Sequence, residues 1–277
     1  MTTQPPAPTI VEHTDWTPCP RIEVHVTPMP GDADTITVYR VWGGQRQVVR
    51  GASGAVVAGD FFVVDYEAPF GVPVTYSCVT KNTAGTASTT SDASSPLTLA
   101  VTQIALQDPL DPTSAVAVAP STSPGQTTPV SRRATGSTAT YSIQATISPV
   151  AGSALPLATG DVRQAASGVP IDVRTETEDA ATAVRNVLTQ AWPLCIRSGP
   201  AAQMLPGLVY LALSDITETL RPNGVSRIFT ATAAAVLPPG QSIVVSPRTY
   251  ADLLDEAATY ADLLTLYPTY LRLQAGH

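Results

Sequence analysis

At 277 residues the chain is long enough for two cores, and a composition 44% hydrophobic but only 13% charged leaves much of its surface to uncharged side chains. A formal net charge of −7, with Lys81 as the only lysine, denies it the basic footprint that nucleic acid requires. No apolar run approaches the roughly 18 residues of a membrane span, the N-terminus does not read as a secretory leader, and Cys19, Cys78 and Cys195 are too few and too widely spaced for a disulfide framework or a zinc site. They read as reduced thiols packed as small apolar groups.

Taken in order, residues 1–7 form a proline-rich arm with nothing to bury. From Pro8 to Pro96 short strands alternate with turns. Thr9-Ile10-Val11 is the first. Ile22, Val24 and Val26 then alternate with Glu23 and His25, and a third run extends from Ile36 to Trp42. Gly43-Gly44 turns into Gln47-Val48-Val49, and Phe61 to Val64 and Val74 to Val79 follow. Strands at this spacing predict a β-sandwich over 8–96. Ser88 to Ser95 reads as a Ser/Thr-rich connector, and Leu97 to Leu106 as the strand that enters a second domain.

That second domain, 97–246, begins with a rigid double turn, Asp108-Pro109-Leu110-Asp111-Pro112. Its two carboxylates fit turn chemistry better than a hard-cation site. Val116 and Val118 suggest a short strand, and 120–129 a low-complexity loop. Tyr141, Ile143, Ala145 and Ile147 alternate with polar residues, the cleanest one-sided strand in the chain. Val169, Ile171 and Val173 repeat that period. Then Ala180, Ala183, Val184, Val187 and Leu188 switch to helical spacing, so a helix is predicted over 177–190. Thr175 to Glu178 supply a capping box, and Pro193 stops the helix. Leu194 to Ile196, Leu208 to Leu213 and Val225 to Thr232 read as strands.

Residues 247–277 repeat themselves. Thr249-Tyr250-Ala251-Asp252-Leu253-Leu254 recurs as Thr259-Tyr260-Ala261-Asp262-Leu263-Leu264. Ten residues rotate a helical face by roughly 80°, so one straight helix would smear the apolar residues around its circumference. Two-turn helices, each opened by a Thr-x-x-Asp cap, fit better. Short helices need a groove to lie in. The expected interaction residues are therefore Tyr250, Leu253, Leu254, Tyr260, Leu263, Leu264 and Tyr267.

No nucleophile elbow, phosphate loop, His-Glu-x-x-His or Cys-x-x-Cys occurs. His13, His25 and His277 look scattered, and Glu176, Glu178 and Asp179 are explained by the helix macrodipole. Trp16, Trp42 and Trp192 offer stacking surfaces, but two of them lie in core-like contexts. No catalytic residue, cofactor or metal is expected. The protein is expected not to be an enzyme.

Two resemblances add to this reading. Pro73-Val74-Thr75-Tyr76-Ser77-Cys78-Val79-Thr80-Lys81-Asn82-Thr83-Ala84-Gly85 resembles the late-strand signature of fibronectin type III domains. That likeness implies Tyr76 as the corner tyrosine and Asn82 and Gly85 in the turn to the last strand; an immunoglobulin likeness would instead pair Cys78 with Cys19. The strings 63–71, 104–112 and 209–216, with the terminal repeats, are similar in order to minor tail proteins of long-tailed phages that infect actinobacteria. The second domain is similar to the ring-forming barrel of distal tail proteins. The alanine-rich 231–236 and the 120–129 loop depart from that pattern.

The resemblance implies a mainly β chain: a fibronectin III-like sandwich, an antiparallel β-barrel carrying one helix, and short C-terminal helical repeats. It further implies a structural virion component of the tail tip, made in the host cytoplasm. Copies would form a homo-oligomeric ring, a hexamer or a trimer, among other tail proteins. The alternative is a tail-tip module that binds a glycan or protein of the host surface.

Overall fold

The structure, a computed structural model, describes residues 3–57, 59–120, 129–143, 145–148, 157–160, 164–199, 206–222, 224–242, 253, 257 and 259–266. It is mainly β with antiparallel sheets, as the alternating sequence predicts. Among the described residues no helix is long and apolar enough to cross a membrane.

Two sheets build the first unit. One orders β1 (Thr9–His13), β2 (Arg21–Val26) and β6 (Phe61–Asp65). The other is centred on β3 (Thr35–Trp42), which pairs with β4 (Gln45–Val48), β5 (Ala55–Val56) and β7 (Thr75–Lys81). Ile22, Val24 and Val26 meet Ile36, Val38, Tyr76 and Cys78 in one core. Every second residue of β3 is buried, the signature of a strand with one face inward.

Residues 88–97, read above as a connector, instead cover the free edge of β7. The N–H groups of Ser88, Ser91 and Ser94 donate to the carbonyls of Thr80, Cys78 and Tyr76. In return the N–H groups of Thr80, Cys78 and Tyr76 donate to the three serine Oγ atoms, at 3.0, 2.9 and 3.0 Å. Three residues of this segment therefore span two of β7. A search for period two misses it. Leu97, Leu99 and Val101 also enter the first core. The N-terminal arm does bury something: Pro5 is covered, while Gln4 Nε2 donates to the Thr90 carbonyl at 2.9 Å.

The second unit is one eight-stranded sheet. Its path runs β10 (Val130–Arg132), β13 (Val169–Thr175), β17 (Arg227–Ala235), β15 (Leu208–Leu213), β14 (Leu194–Ser198), β8 (Ile104–Asp108) and β9 (Asp111–Val118), with β16 (Thr217–Leu220) on β17. The path closes where the Ala119 N–H donates to the Val130 carbonyl at 3.1 Å and the Arg132 N–H donates to Ala119 at 2.8 Å. The double turn at Pro109 and Leu110 joins β8 to β9. Asp108 and Asp111 accept the Leu110 and Thr113 N–H groups at 2.8 and 3.0 Å, which is turn chemistry. Between β10 and β13 lie β11 (Ala145–Ser148) and β12 (Leu157–Gly160), which among the described residues pair with each other as a two-stranded sheet.

Helix α1 (Glu178–Gln190) packs against β8, β9 and β13. Thr177, not Thr175, caps it, accepting the Ala180 N–H at 3.2 Å, because Thr175 is the last residue of β13. Its buried face is Ala181, Val184, Val187 and Leu188. Ala183, predicted inward, is exposed. An ion-pair chain ties the helix to the sheet: Arg185 reaches Glu218 at 2.7 Å, and Arg227 reaches Glu218 at 2.8 Å and Glu178 at 2.7 Å. Trp192, expected in a core-like setting, is 69% exposed.

Candidate functional site

The chemistry of this chain concentrates where the two units meet. Strand β14 is buried at all five positions because both its faces are covered. Leu194 and Ile196 point into the second core, with Ile104, Leu106 and Leu211. Cys195 on the other face joins the first core, together with Ala105, Leu208 and Tyr210. The outer wall of the second unit is thus the floor of the first. Two glycines permit the close approach. A Cβ on Gly199 would overlap the Val101 carbonyl, and one on Gly207 would sit 3.1 Å from Pro69.

Charged groups fill this junction. Arg40 holds a core phase of β3 between Val38 and Trp42 and is fully buried. Its Nη1 donates to both Asp65 oxygens at 2.6 and 2.8 Å, its Nη2 donates to Gln47 at 2.7 Å, and its guanidinium lies 4.9 Å from the Trp42 ring. Tyr76 Oη donates to Asp65 at 2.8 Å, tying β7 to the end of β6. Next to this, Glu67 accepts from Arg50 Nε and from Tyr210 Oη, both at 2.6 Å, which links the two units directly. Arg50 also donates to the Gly240 carbonyl at 2.6 Å, and the Gly51 N–H to Gln241 at 3.0 Å, so the chain leaving β17 is strapped across the first unit.

Arg197 is another buried guanidinium of the junction. It donates to the Pro20 carbonyl and to Gln107 Oε1, each at 2.7 Å, and stacks 4.5 Å from Phe70. Gln107 in turn donates to the Tyr66 carbonyl at 3.0 Å. Charge-assisted bonds of this kind fix geometry as well as adding energy.

The electrostatics follow from burial and pairing. Burial disfavours the Arg40 charge, but Asp65 and the neighbouring Tyr210, Tyr76 and Glu67 overcome it and hold the guanidinium above its ordinary value. Burial, reinforced by Asp65, raises Tyr76 well above the usual phenol range; burial and Glu67 do the same to Tyr210. Burial also pushes Tyr66 up to about 12 and raises the Cys19 and Cys195 thiols. All three cysteines are free and buried. These groups therefore hold their protons more tightly than they would in water.

The histidines are less scattered than their sequence positions suggest. Pairing of β1 with β2 sets His13 at 2.9 Å and His25 at 3.4 Å from opposite oxygens of Glu23. The carboxylate lies between the imidazoles, and among the described residues no set of three His, Cys, Asp or Glu side chains is arranged to hold a metal ion.

Of the expected interaction residues, Tyr250, Leu254 and Tyr267 lie outside the described residues. Leu253 is half-buried, and its carbonyl accepts the N–H of buried Ala257 at 3.1 Å. Tyr260, Leu263 and Leu264 fall in α2 (Tyr260–Leu266), a helix of two turns. Thr259 and Asp262 cap it reciprocally, with Asp262 accepting the Thr259 N–H at 3.1 Å and donating its own N–H to Thr259 Oγ1 at 3.3 Å.

The junction residues were not singled out as a site by sequence. A signal existed: Arg40 falls in phase with Ile36, Val38 and Trp42, and a charge in a core phase demands a buried partner. The fold and this site together define a two-unit β-scaffold joined by a buried ionic network. No protein family, curated protein or solved structure matches the chain.

Proposed function

We propose that the protein is a structural component of a long-tailed phage's tail tip, present in the virion tail, where copies assemble into a ring around the tail channel. The observation that carries this reading is the junction. The strings 63–71, 104–112 and 209–216, whose order resembles minor tail proteins, are distant in sequence yet meet there through Glu67, Phe70, Ala105, Gln107 and Tyr210. The strings that resemble the family therefore contribute to the packed junction of the molecule, and a ring subunit needs a packed frame to hold its neighbours in register.

In this reading the first unit is a fibronectin III-like sandwich with Tyr76 as its corner, and the second is a distal-tail-like barrel. The C-terminal segment clasps a neighbouring tail protein through the Tyr and Leu residues of its repeats. The alternative, a host-surface binding module, calls for exposed aromatics on the sandwich loops. Among the described residues, the exposed large apolar side chains of that unit are Val11 and Val56.

Mass spectrometry of purified tail particles, followed by electron cryo-microscopy of the tip, tests the proposal. The expected result is this chain in a closed ring with the barrel facing the channel. A chain absent from the particles, or present only as peripheral appendages, overturns it.

A further inference from the structure

Among the described residues, the ladder of β17 ends at Ala235. Val236 still donates its N–H to the Tyr210 carbonyl at 2.9 Å. Beyond it Leu237 is 87% exposed, Pro238 and Pro239 have no N–H to offer a strand, and Gly240 has no side chain to bury. Burial does little to hold residues 237–242, since none of them is fully covered. A stretch of this kind opens readily unless specific bonds fix it.

The bonds come from one turn of the first unit, residues 49–52. That turn is pinned to β3: the Val49 N–H donates to the Val38 carbonyl at 2.9 Å and the Val38 N–H to the Ala52 carbonyl at 3.0 Å, with Val49 and Ala52 fully buried. From this base Arg50 presents a guanidinium held in place at its near end. Its Nε donates to Glu67 at 2.6 Å, and Glu67 also accepts the Tyr210 hydroxyl at 2.6 Å. The far end of the fork is left for the strap. Arg50 Nη1 donates to the Gly240 carbonyl at 2.6 Å, across 190 positions of sequence, and the Gly51 N–H donates to the next carbonyl, Gln241, at 3.0 Å. Two successive donors thus grip two successive carbonyls. A charge-assisted bond from a pre-oriented planar fork fixes direction as well as adding energy.

We propose that Arg50 is the positioning residue of the C-terminal segment: with Gly51 it hands the chain from the second unit to the first, so that the residues after Ser242 start from a point set by the first unit. The inference rests on the reading that this segment clasps a neighbouring tail protein, and it names what aims the clasp. A segment with a fixed root searches a smaller volume than one that swings from the end of β17, which raises its effective concentration at a neighbour held in register.

Distances between paired nitroxide labels, measured by electron paramagnetic resonance in the full chain, test this. They do not involve the neighbour, so a failed clamp is read apart from a failed clasp, which removal of the residues after Pro247 reports. The three native cysteines are buried, so the labels go to cysteines introduced at exposed sites. One pair, Ser242→Cys with Val56→Cys, spans the clamp; a second, Leu237→Cys with Val56→Cys, stops short of it. With Arg50 in place each pair is expected to give one narrow distance. Arg50→Met with Glu67→Gln removes both charges together and is expected to broaden the Ser242 distance while the Leu237 distance stays narrow. A Ser242 distance already broad with Arg50 present, or still narrow without it, overturns the proposal. So does broadening of both pairs in a variant whose melting temperature is unchanged. Should the variant melt early, hydrogen exchange of the unaltered chain decides. The Gly51 amide, which donates to Gln241, is expected to exchange as slowly as the Ala52 amide, which donates to Val49 within the turn. Exchange of the Gly51 amide at the rate of an open chain overturns the clamp.

Discussion

Arg40 and Asp65 show how a charge survives in a β-core. The guanidinium is fully buried, and its partner carboxylate also accepts the Glu67 N–H at 2.9 Å and the Tyr76 hydroxyl at 2.8 Å. Removing one charge strands the other, which typically costs about 3–5 kcal/mol. Asp65→Asn is therefore expected to lower the unfolding free energy in urea by that amount; a loss under about 1 kcal/mol would show that the pair is not desolvated as described. Tyrosine supplies a pH test. Tyr76 and Tyr210 are raised by burial and by their carboxylate neighbours, so the folded state binds their protons more tightly than the unfolded state. That contribution is complete below the ordinary phenol value of about 10 and is lost as pH rises beyond it. The urea midpoint should fall over that range, with part of the phenolate absorbance of the nine tyrosines delayed until unfolding. Full absorbance in the folded state contradicts the assignment.

At the scale of elements, the serine-bonded edge of β7 is the most exposed to test. Ser91→Ala leaves the buried Cys78 N–H without its Oγ acceptor, at an expected cost of about 1–3 kcal/mol and with faster exchange of the Cys78 amide. Thr89→Ala, on the solvent side of the same segment, should stay within about 0.5 kcal/mol. Equal effects would mean that the serine spacing is incidental. The C-terminal repeats pose a different question. Leu253 is half-buried and Ala257 buried, while Leu266 on α2 is 54% exposed. If the segment clasps a neighbour, removing the residues after Pro247 leaves monomer melting unchanged and abolishes incorporation into tails. A large fall in monomer melting temperature places the repeats in the chain's own core and refutes the clasp.

At the scale of the molecule, the two units are not independent. The first unit covers Cys195, Arg197, Leu208 and Tyr210, and Arg50 grips the segment that follows β17. Removing 8–96 would expose an apolar wall with a buried arginine at its centre, an environment stable only while covered. The remaining fragment is expected to aggregate or to lose hydrogen-exchange protection in β8, β14 and β15. A soluble monomer with those strands fully protected would show that the second unit stands alone.

The sequence by itself determined the local grammar. Alternation in Ile36 to Trp42 and Val169 to Val173 fixed strands with one buried face, helical spacing and Pro193 bounded α1, and Thr259 with Asp262 announced the cap of α2. These signals act over a few residues, where hydrophobic period and capping chemistry are decisive. Only the tertiary structure decided the junction. Its bonds join residues 25, 90 and 143 positions apart, as in Arg40–Asp65, Gln107–Arg197 and Glu67–Tyr210. No period records such separations. Burial of both faces of β14, the three-residue spacing along β7, and the gathering of His13 and His25 on Glu23 arise in the same way, because strand order and sheet packing choose which distant groups meet.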